Sequence, residues 1–564
     1  MEILIFIFPL LSFLIFQFSD NIKNVKLLYI LHTALMSSSF VLSIYLFLKL
    51  LDFENDIPLY YYPILKLEKL LIDWSLRLDL FVSGLLIIIT LVATIFIIYS
   101  INFYKDNKVD LKIIKYSSLS IFGSLTLVSS NNLIQLFLGW QIILVSCYFL
   151  TNLFQKKEDL KGNDNVFLYN RVSDLGIFLC LFFLYSYTNS IDFDVIFESS
   201  YLGQNNKLML LDLEFTVFEL ILCVLFLSFL FRCRQFFIGS SSYHFLKINS
   251  SLSALIYSGI FLPSGIYLIL RFLPLTETYS NFLNVITLLG FIFIIIFTIL
   301  IFKSKNLKSL TVYVASSQFS IIVFMIGLKV YNGAFFYLLT STLSVTMLFL
   351  SYGIIITKLN GEHQIDKMGL LLIKTPFTFL LTLTASLSLI GVPFFSSFYS
   401  KKLILSSLQT LNETFMFFSI IICLFYFFLF SYTLFKNILI VFWCQNNCNI
   451  HVYNKINENM FLTKIILLLL ATCLIFSGWF LNNLFSGPTP EYFWNLVLNF
   501  NSDFALSHEN QTHDWFIEQT NLICLFGISL SIFNYVLIPK FGNNIRIKHN
   551  KFFKYYSSYL SSSN

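Results

Sequence analysis

Charge is what this chain has least of. Of its 564 residues only 12% are Asp, Glu, Lys or Arg, where a soluble domain carries about 25%. With 57% hydrophobic residues and a mean hydropathy of +0.79, no water-soluble core of this length could absorb the apolar surface. A bilayer can. Glycine is sparse too, 20 residues against 68 Phe and 30 Tyr. Alanine is scarce beside abundant Ile, Leu, Asn and Lys, the bias that a very A+T-rich coding sequence produces and a hint of an organelle genome. The chain lacks a dinucleotide fingerprint, an iron–sulfur cysteine spacing and a haem motif, so it carries no redox centre of its own. Its nine cysteines are scattered. Cys444, Cys448 and His451 cluster locally, but no second half with zinc-type spacing follows. The net charge of +6 is spread over short loops and forms no patch, which excludes a nucleic-acid partner. A cleavable signal peptide is not evident either. The run from Glu2 to Phe18 has no basic start and no small-residue cleavage site, and reads as a first membrane helix.

What is there is a series of long apolar runs. A spanning helix needs about twenty apolar residues, because the hydrocarbon layer is about 30 Å thick and each residue rises 1.5 Å. Such runs fall at 2–18, 27–50, 78–103, 111–128, 131–154, 166–187, 212–231, 251–273, 281–302, 309–328, 333–357, 375–410, 413–443, 464–485 and 519–538. The expected fold is therefore all-α and polytopic, with about fifteen transmembrane helices; lipid leaves open strand edges without partners.

Basic residues alternate between the loops. One set holds Lys23 and Lys26, Lys105 to Lys112, Lys156 to Lys161, Arg232 to Lys247, Lys303 to Lys308, Lys358 to Lys374, and the tail Lys540 to Lys554. The other set holds Ser129 to Asn132, Asp192, Asp194, Glu198 and Glu277, with single bases at Lys207, Arg271 and Lys329. The segment Phe485 to Asn521 has several acids and neither Lys nor Arg. The loop at 52–77 is mixed. Fifteen spans place the amino terminus outside and the carboxyl terminus inside.

Two runs contain helix breaks. One lies between Phe231 and Ser253, interrupted by Arg232, Arg234, Gln235, Gly239, His244 and Asn249; the other is Gly391-Val392-Pro393, followed by Ser396, Ser397, Lys401 and Lys402. Interrupted helices at matching places in two halves are a pattern of inverted-repeat transporters, and ordinary polar loops are the plainer reading. The domains expected are 1–110, three leading helices; 111–273 and 281–443, two repeats; and 444–564, two helices and a basic tail. Arg171 and Asp174 share a helix face and can neutralise each other, either as a structural pair or as functional ionisable groups. Glu219 lies inside the run Phe215 to Leu230 with no sequence-local partner, either protonated and inert or a proton acceptor.

Several stretches, in order, carry a family resemblance. They are Ser130 to Trp140; Asn170-Arg171 with Asp174 and Gly176; Ser253 to Tyr257 with Gly265 to Leu268; and Tyr313 with Ser316 to Gln318. Ala334 to Phe336 with Leu348 to Ser351, Asn360 to Glu362 with Asp366 to Gly369, and Gly391 to Ser396 with Phe398 to Lys401 complete the series. Together they resemble the antiporter-like subunits of respiratory complex I, and the asparagine–arginine–aspartate motif resembles the chain 5 family of NADH-ubiquinone oxidoreductase in particular. The resemblance implies two inverted five-helix repeats, each with a discontinuous helix, and a buried line of acids, lysines and histidines that carries protons. It also implies a mitochondrial inner membrane, with the amino terminus on the intermembrane-space side and the carboxyl terminus on the matrix side. The partners implied are a chain 4 neighbour, accessory subunits, and phospholipid including cardiolipin. FMN, iron–sulfur clusters and ubiquinone would sit in partner subunits, and this chain would bind no cofactor and no metal.

The chemistry departs from the pattern. Where the family has a glutamate after the tryptophan, this chain has Gln141, and its lysine position carries Arg232, which does not release a proton. Histidine positions carry Tyr257, Tyr337 and Ser341, and the central lysine position carries Val345. The ionisable residues left as relay candidates are Arg171, Asp174, Arg232, Lys308 and Lys401, with Lys402 where an acid would stand. The expectation is that this subunit's own proton pumping is impaired or lost. Only 26 residues follow Ile538, so the family's lateral helix is expected to be absent, shortened or supplied by another chain. A multi-subunit cation/proton antiporter shares the ancestry and is the principal alternative; a membrane scaffold is a third.

Overall fold

The computed structural model describes residues 2–18, 25–52, 59–67, 70–101, 108–153, 160–200, 207–210, 213–232, 249–277, 280–408, 413–458, 461–485 and 514–537. The long helices are α1 (Leu4–Gln17), α2 (Val25–Asp52), α3 (Leu80–Ile101), α4 (Lys108–Val128), α5 (Leu133–Asn152), α6 (Leu160–Thr188), α7 (Val217–Arg232) and α8 (Ser250–Arg271). They continue with α9 (Ser280–Lys303), α10 (Leu307–Gly327), α11 (Tyr331–Lys358), α12 (Pro376–Ile390), α13 (Ser396–Leu408), α14 (Glu413–Phe442), α15 (Phe461–Phe485) and α16 (Asp514–Ile532). Each apolar run contains a helix; the run 212–231 enters its helix only at Val217, and the run 375–410 is split into α12 and α13.

Two short antiparallel hairpins are additions to the all-helical expectation: β1 (Leu59–Leu67) with β2 (Leu70–Arg77), and β3 (Lys207–Leu210) with β4 (Leu213–Thr216). The second corrects the reading of Glu219. The apolar run does not enter the helix at 212. It first forms β4, and α7 starts only after Thr216, which makes Glu219 a first-turn residue rather than a mid-span one. The Thr216 amide donates to the Glu219 carboxylate at 2.9 Å, and the Glu219 amide donates to the Thr216 hydroxyl at 3.3 Å. This reciprocal cap satisfies two helix-end donors and gives Glu219 the local partner it was expected to lack.

Neighbouring helices approach closely where glycine permits it. A Cβ on Gly139 of α5 would fall 2.7 Å from the Leu127 amide of α4, and one on Gly290 of α9 would fall 2.7 Å from the Phe324 amide of α10. In lipid, where burial of apolar surface gives no net drive between helices, such backbone proximity supplies the packing contact. The core runs along α3, α8, α10 and α11; α8 and α11 are enclosed over their spanning windows. In contrast, α6 exposes Leu175, Phe178 and Phe182, and α15 exposes Leu469, Trp479 and Phe480.

The loops sort by charge. At one end of the bundle, Leu76 bridges to Ser130, Asn132 bridges to Asp192, and Glu2 pairs with Lys49 at 2.7 Å. At the other, Asn306 bridges to Gln364, the Ile365 amide donates to the Lys305 carbonyl, and Asn447 reaches the Asp366 carbonyl. Acid-bearing segments thus meet one another, and so do lysine-bearing ones, as the alternation requires. The interrupted segment 233–248, the stretch 486–513 and the tail from 538 lie outside the described residues.

Candidate functional site

The central positions are built on α5, α8, α10, α11, α13 and α14. Asn132 caps α5 by accepting from the Gln135 amide at 2.7 Å, and the helix then carries Trp140 and Gln141 inward. Trp140 is buried against Phe229, ring centroids 6.0 Å apart. Gln141 is half-buried, and its Nε2 is enclosed without a protein partner among the described residues.

In α8, a π-helical stretch from Leu255 to Phe261 holds Tyr257. Its ring stacks on Phe349 of α11, centroids 6.0 Å apart and 13° from parallel, and meets Phe261 edge-on. On α11, the Tyr337 hydroxyl donates to Gln318 Oε1 of α10. Gln318 Nε2 lies 3.3 Å from the Tyr426 hydroxyl of α14. Three neutral side chains thus form one buried chain across three helices. Ser341 turns back on its own helix, donating to the Leu338 carbonyl at 3.3 Å, and Val345 is fully buried.

The broken helix places Lys401. Helix α12 ends at Gly391, whose φ of +80° is left-handed. A Cβ there would also fall 2.8 Å from Lys401 Cδ, so both the turn and the space call for glycine. The break leaves the last carbonyls of α12 without helical partners. The Lys401 ammonium, 5% exposed, donates to the Leu389 carbonyl at 2.6 Å and to the Ile390 carbonyl at 2.8 Å. It also lies 4.9 Å from the centroid of the Phe427 ring. Among the described residues no carboxylate pairs with it. Its charge is instead offset by the negative end of the α12 dipole and the aromatic face. A cavity of about 20 Å³, room for a water molecule, adjoins it and is lined by Lys402, Phe427, Asn521 and Cys524. Next to it, Thr340 and Ser400 hydroxyls lie 3.1 Å apart and Ser388 and Ser396 hydroxyls 3.2 Å apart.

The other candidates are dispersed. Arg171 Nη1 donates to Asp174 Oδ2 at 3.1 Å, with Asp174 buried and Arg171 46% exposed, the same-face pair that the spacing predicts. Lys308 is half-buried in the first turn of α10, at the lysine-bearing end of the bundle. Arg232 closes α7, and its side chain lies outside the described residues, as do Arg234 and His244.

Two groups of residues were hard to find in the sequence. Gln318 stood only as part of a family-like stretch and Tyr426 is an ordinary position in an apolar run; only the fold faces them toward Tyr337. Arg271, read as a lone loop charge, is instead 7% exposed, and its Nη1 donates to Asp79 Oδ2 at 2.7 Å. Arg77, read as part of a mixed loop, is neutralised by Asp79 at 3.2 Å and Asp194 at 2.5 Å. A signal was available, since an arginine closing an apolar run demands a carboxylate, and the facing loops hold several. Nearby, burial together with Asp73 and Asp194 holds the Asp192 carboxyl above the usual carboxylate range.

The family described as NADH:quinone oxidoreductase/Mrp antiporter, TM, matches residues 130–424. The chain is 28% identical over 435 residues to NADH-ubiquinone oxidoreductase chain 5 of Chondrus crispus, covering 76% of this chain and 65% of that one. It is 26% identical over 569 residues to chain 5 of Acanthamoeba castellanii, covering 100% of this chain and 83% of that one. Against NADH-quinone oxidoreductase subunit L of Rickettsia typhi it is 30% identical over 418 residues, covering 74% of this chain and 63% of that one. The match thus spans a little under two thirds of the length of the Chondrus and Rickettsia relatives. A solved structure of the membrane-bound sulfane sulfur reductase, an archaeal respiratory membrane complex, has the same fold, with TM-score 0.70 at 16% identity over 94% of this chain and 99% of that one.

Proposed function

The chain belongs to the NADH:quinone oxidoreductase/Mrp antiporter transmembrane family, and we propose that within it the chain serves as the chain 5 membrane-arm subunit of respiratory complex I, with proton passage through its own centre impaired or lost. Similarity to the chain 5 and subunit L proteins supports the placement. The single observation that carries the loss of pumping is the neutral middle. Gln141 and Val345 cannot titrate. Tyr337, Gln318 and Tyr426 are tied to one another, and among the described residues the buried Lys401 ammonium is bonded to helix-end carbonyls rather than to an acid. A relay needs coupled groups whose charge states alternate near neutral pH; fixed neutral groups do not supply them.

On this reading NADH oxidation and quinone reduction belong to partner subunits holding FMN and iron–sulfur clusters, and the chain packs against a chain 4 neighbour, accessory subunits and cardiolipin-containing lipid. The inverted repeats are assigned to 111–273 and 281–443, and each opens on a pair of helices, α4 with α5 and α9 with α10, that approach closely at glycine. The measurement is protons moved per NADH oxidised by the intact assembly in sealed vesicles. The expected value is lower than that of a complex with a titratable chain 5; an undiminished value, with flux traced through this subunit, removes the reading. The second reading, a subunit of a multi-subunit cation/proton antiporter, draws on the breadth of the family. Flavin and iron–sulfur absorbance in the purified particle separates the two.

A further inference from the structure

We infer that the acid-bearing end of the bundle, where α8 ends, holds a bound water cluster seated on the free edge of the Arg271 guanidinium. Four charged groups meet there. Arg271 Nη1 donates to Asp79 Oδ2 at 2.7 Å, Arg77 Nε donates to the same oxygen at 3.2 Å, and Arg77 Nη1 donates to Asp194 Oδ1 at 2.5 Å. Their formal charges cancel, yet the hydrogen bonding does not close. Arg271 Nε and Nη2 are enclosed without a protein partner among the described residues, and so are Asp79 Oδ1, Asn131 Oδ1 and Ser75 Oγ. These atoms share one neighbourhood. Leu76, next to Ser75, bridges to Ser130, next to Asn131. The Tyr267 hydroxyl, one turn before Arg271 on α8, donates to the Ser130 carbonyl at 3.1 Å.

The chemistry of the unmatched atoms selects the ligand. Nε and Nη2 form the edge of a guanidinium that grips oxygen with two parallel N–H groups. Two acceptors and a hydroxyl in the same neighbourhood are unmatched as well. A bound anion would take the two donors, leave the Asp79 and Asn131 oxygens unmet, and set a negative charge beside Asp79. A cation would meet the guanidinium. Water accepts from Arg271 and donates to both oxygens, making the two to four bonds that buried water makes. The cluster therefore completes a hydrated clamp joining β2, the α4–α5 link, the segment 190–194 and the end of α8. It gives the chain a wet stub at this end, whether or not the centre conducts.

The test uses the intact assembly. In a cryo-electron microscopy map that resolves ordered solvent, compact density within hydrogen-bond distance of both Arg271 Nε and Nη2 is expected. An empty site, density of anion size, or a partner's carboxylate on this edge would overturn the inference. X-ray radiolysis gives an independent reading, because hydroxyl radicals form at bound waters. Tyr267, fully buried, is expected to be oxidised in the native assembly, and severalfold less in Arg271→Lys, which keeps the charge but loses the two-donor edge. Absence of Tyr267 oxidation in the native assembly, or equal oxidation in an assembled Arg271→Lys, counts against the water cluster.

Discussion

Individual residues at the centre, Tyr337, Gln318 and Tyr426, are neutral and hydrogen-bonded to one another. Tyr337→Phe removes the hydroxyl that Gln318 Oε1 accepts and leaves a buried amide oxygen short of a donor. Side-chain hydrogen bonds between membrane helices average about 0.6 kcal/mol, reaching about 1.7, so a loss of that order is expected in a thermal unfolding series of the assembly. NADH oxidation and proton yield should stay as they were, because the hydroxyl relays nothing on this reading. Lys401→Met acts differently. It uncaps the Leu389 and Ile390 carbonyls, at a cost of about 1–3 kcal/mol for buried acceptors left unmet, and it should also leave the protons moved per NADH unaltered. A proton yield that falls while the assembly remains intact would make Lys401 a relay group rather than a helix cap.

At the scale of elements, the sequence located helices better than it located their ends. Length and apolarity place the long helices because both are local properties. The cap Thr216-x-x-Glu219 was also written in the chain, but an apolar strand ahead of it extended the apparent helix. The break at Gly391 was legible from Gly and Pro together; the use of its carbonyls by Lys401 was not, because that contact joins residues 11 and 12 apart across the break. The loop after α11 carries a pH dependence. Burial raises the Glu362 pKa, but the Gln364 amide, Lys367 and the His363 amide outweigh it, and the carboxyl sits below its ordinary 4.5. A depressed carboxylate stabilises the folded loop above the ordinary value and loses that contribution as pH falls through the folded one. The His363 and Gln364 amides, which donate to Glu362 Oε1 at 3.2 and 3.1 Å, are therefore expected to lose hydrogen-exchange protection, relative to neighbouring amides, as pH drops below about 4.5. Unchanged relative protection would show that the carboxylate does not hold the turn.

Across the whole molecule, the proposed orientation puts the two described ends of the chain at opposite faces. Glu2 pairs with Lys49 at the acid-bearing end. The last described turn joins α14 through Asn534 and Tyr432 at 3.5 Å, toward the end where α14 meets the lysine-bearing loops. With lysines retained on the matrix side, an amino-terminal tag should be cleaved by protease added to mitochondria with ruptured outer membranes, and a tag after the described carboxyl-terminal helix should be protected. Reversed accessibility would invert the proposed orientation.

By itself the sequence determined that the chain lives in lipid, where its long apolar helices fall and where the run 375–410 is interrupted. Each of these follows from composition, run length or the identity of one residue. Only the tertiary structure decided that Gln318 and Tyr426 complete a neutral chain with Tyr337, that Lys401 caps a helix end, and that Arg271 is buried beside Asp79. The physical reason is that such partners lie far apart in sequence and on helices whose apolar residues surround the whole circumference. With lipid and protein neighbours equally apolar, no periodicity marks which side turns inward; only packing against other helices does.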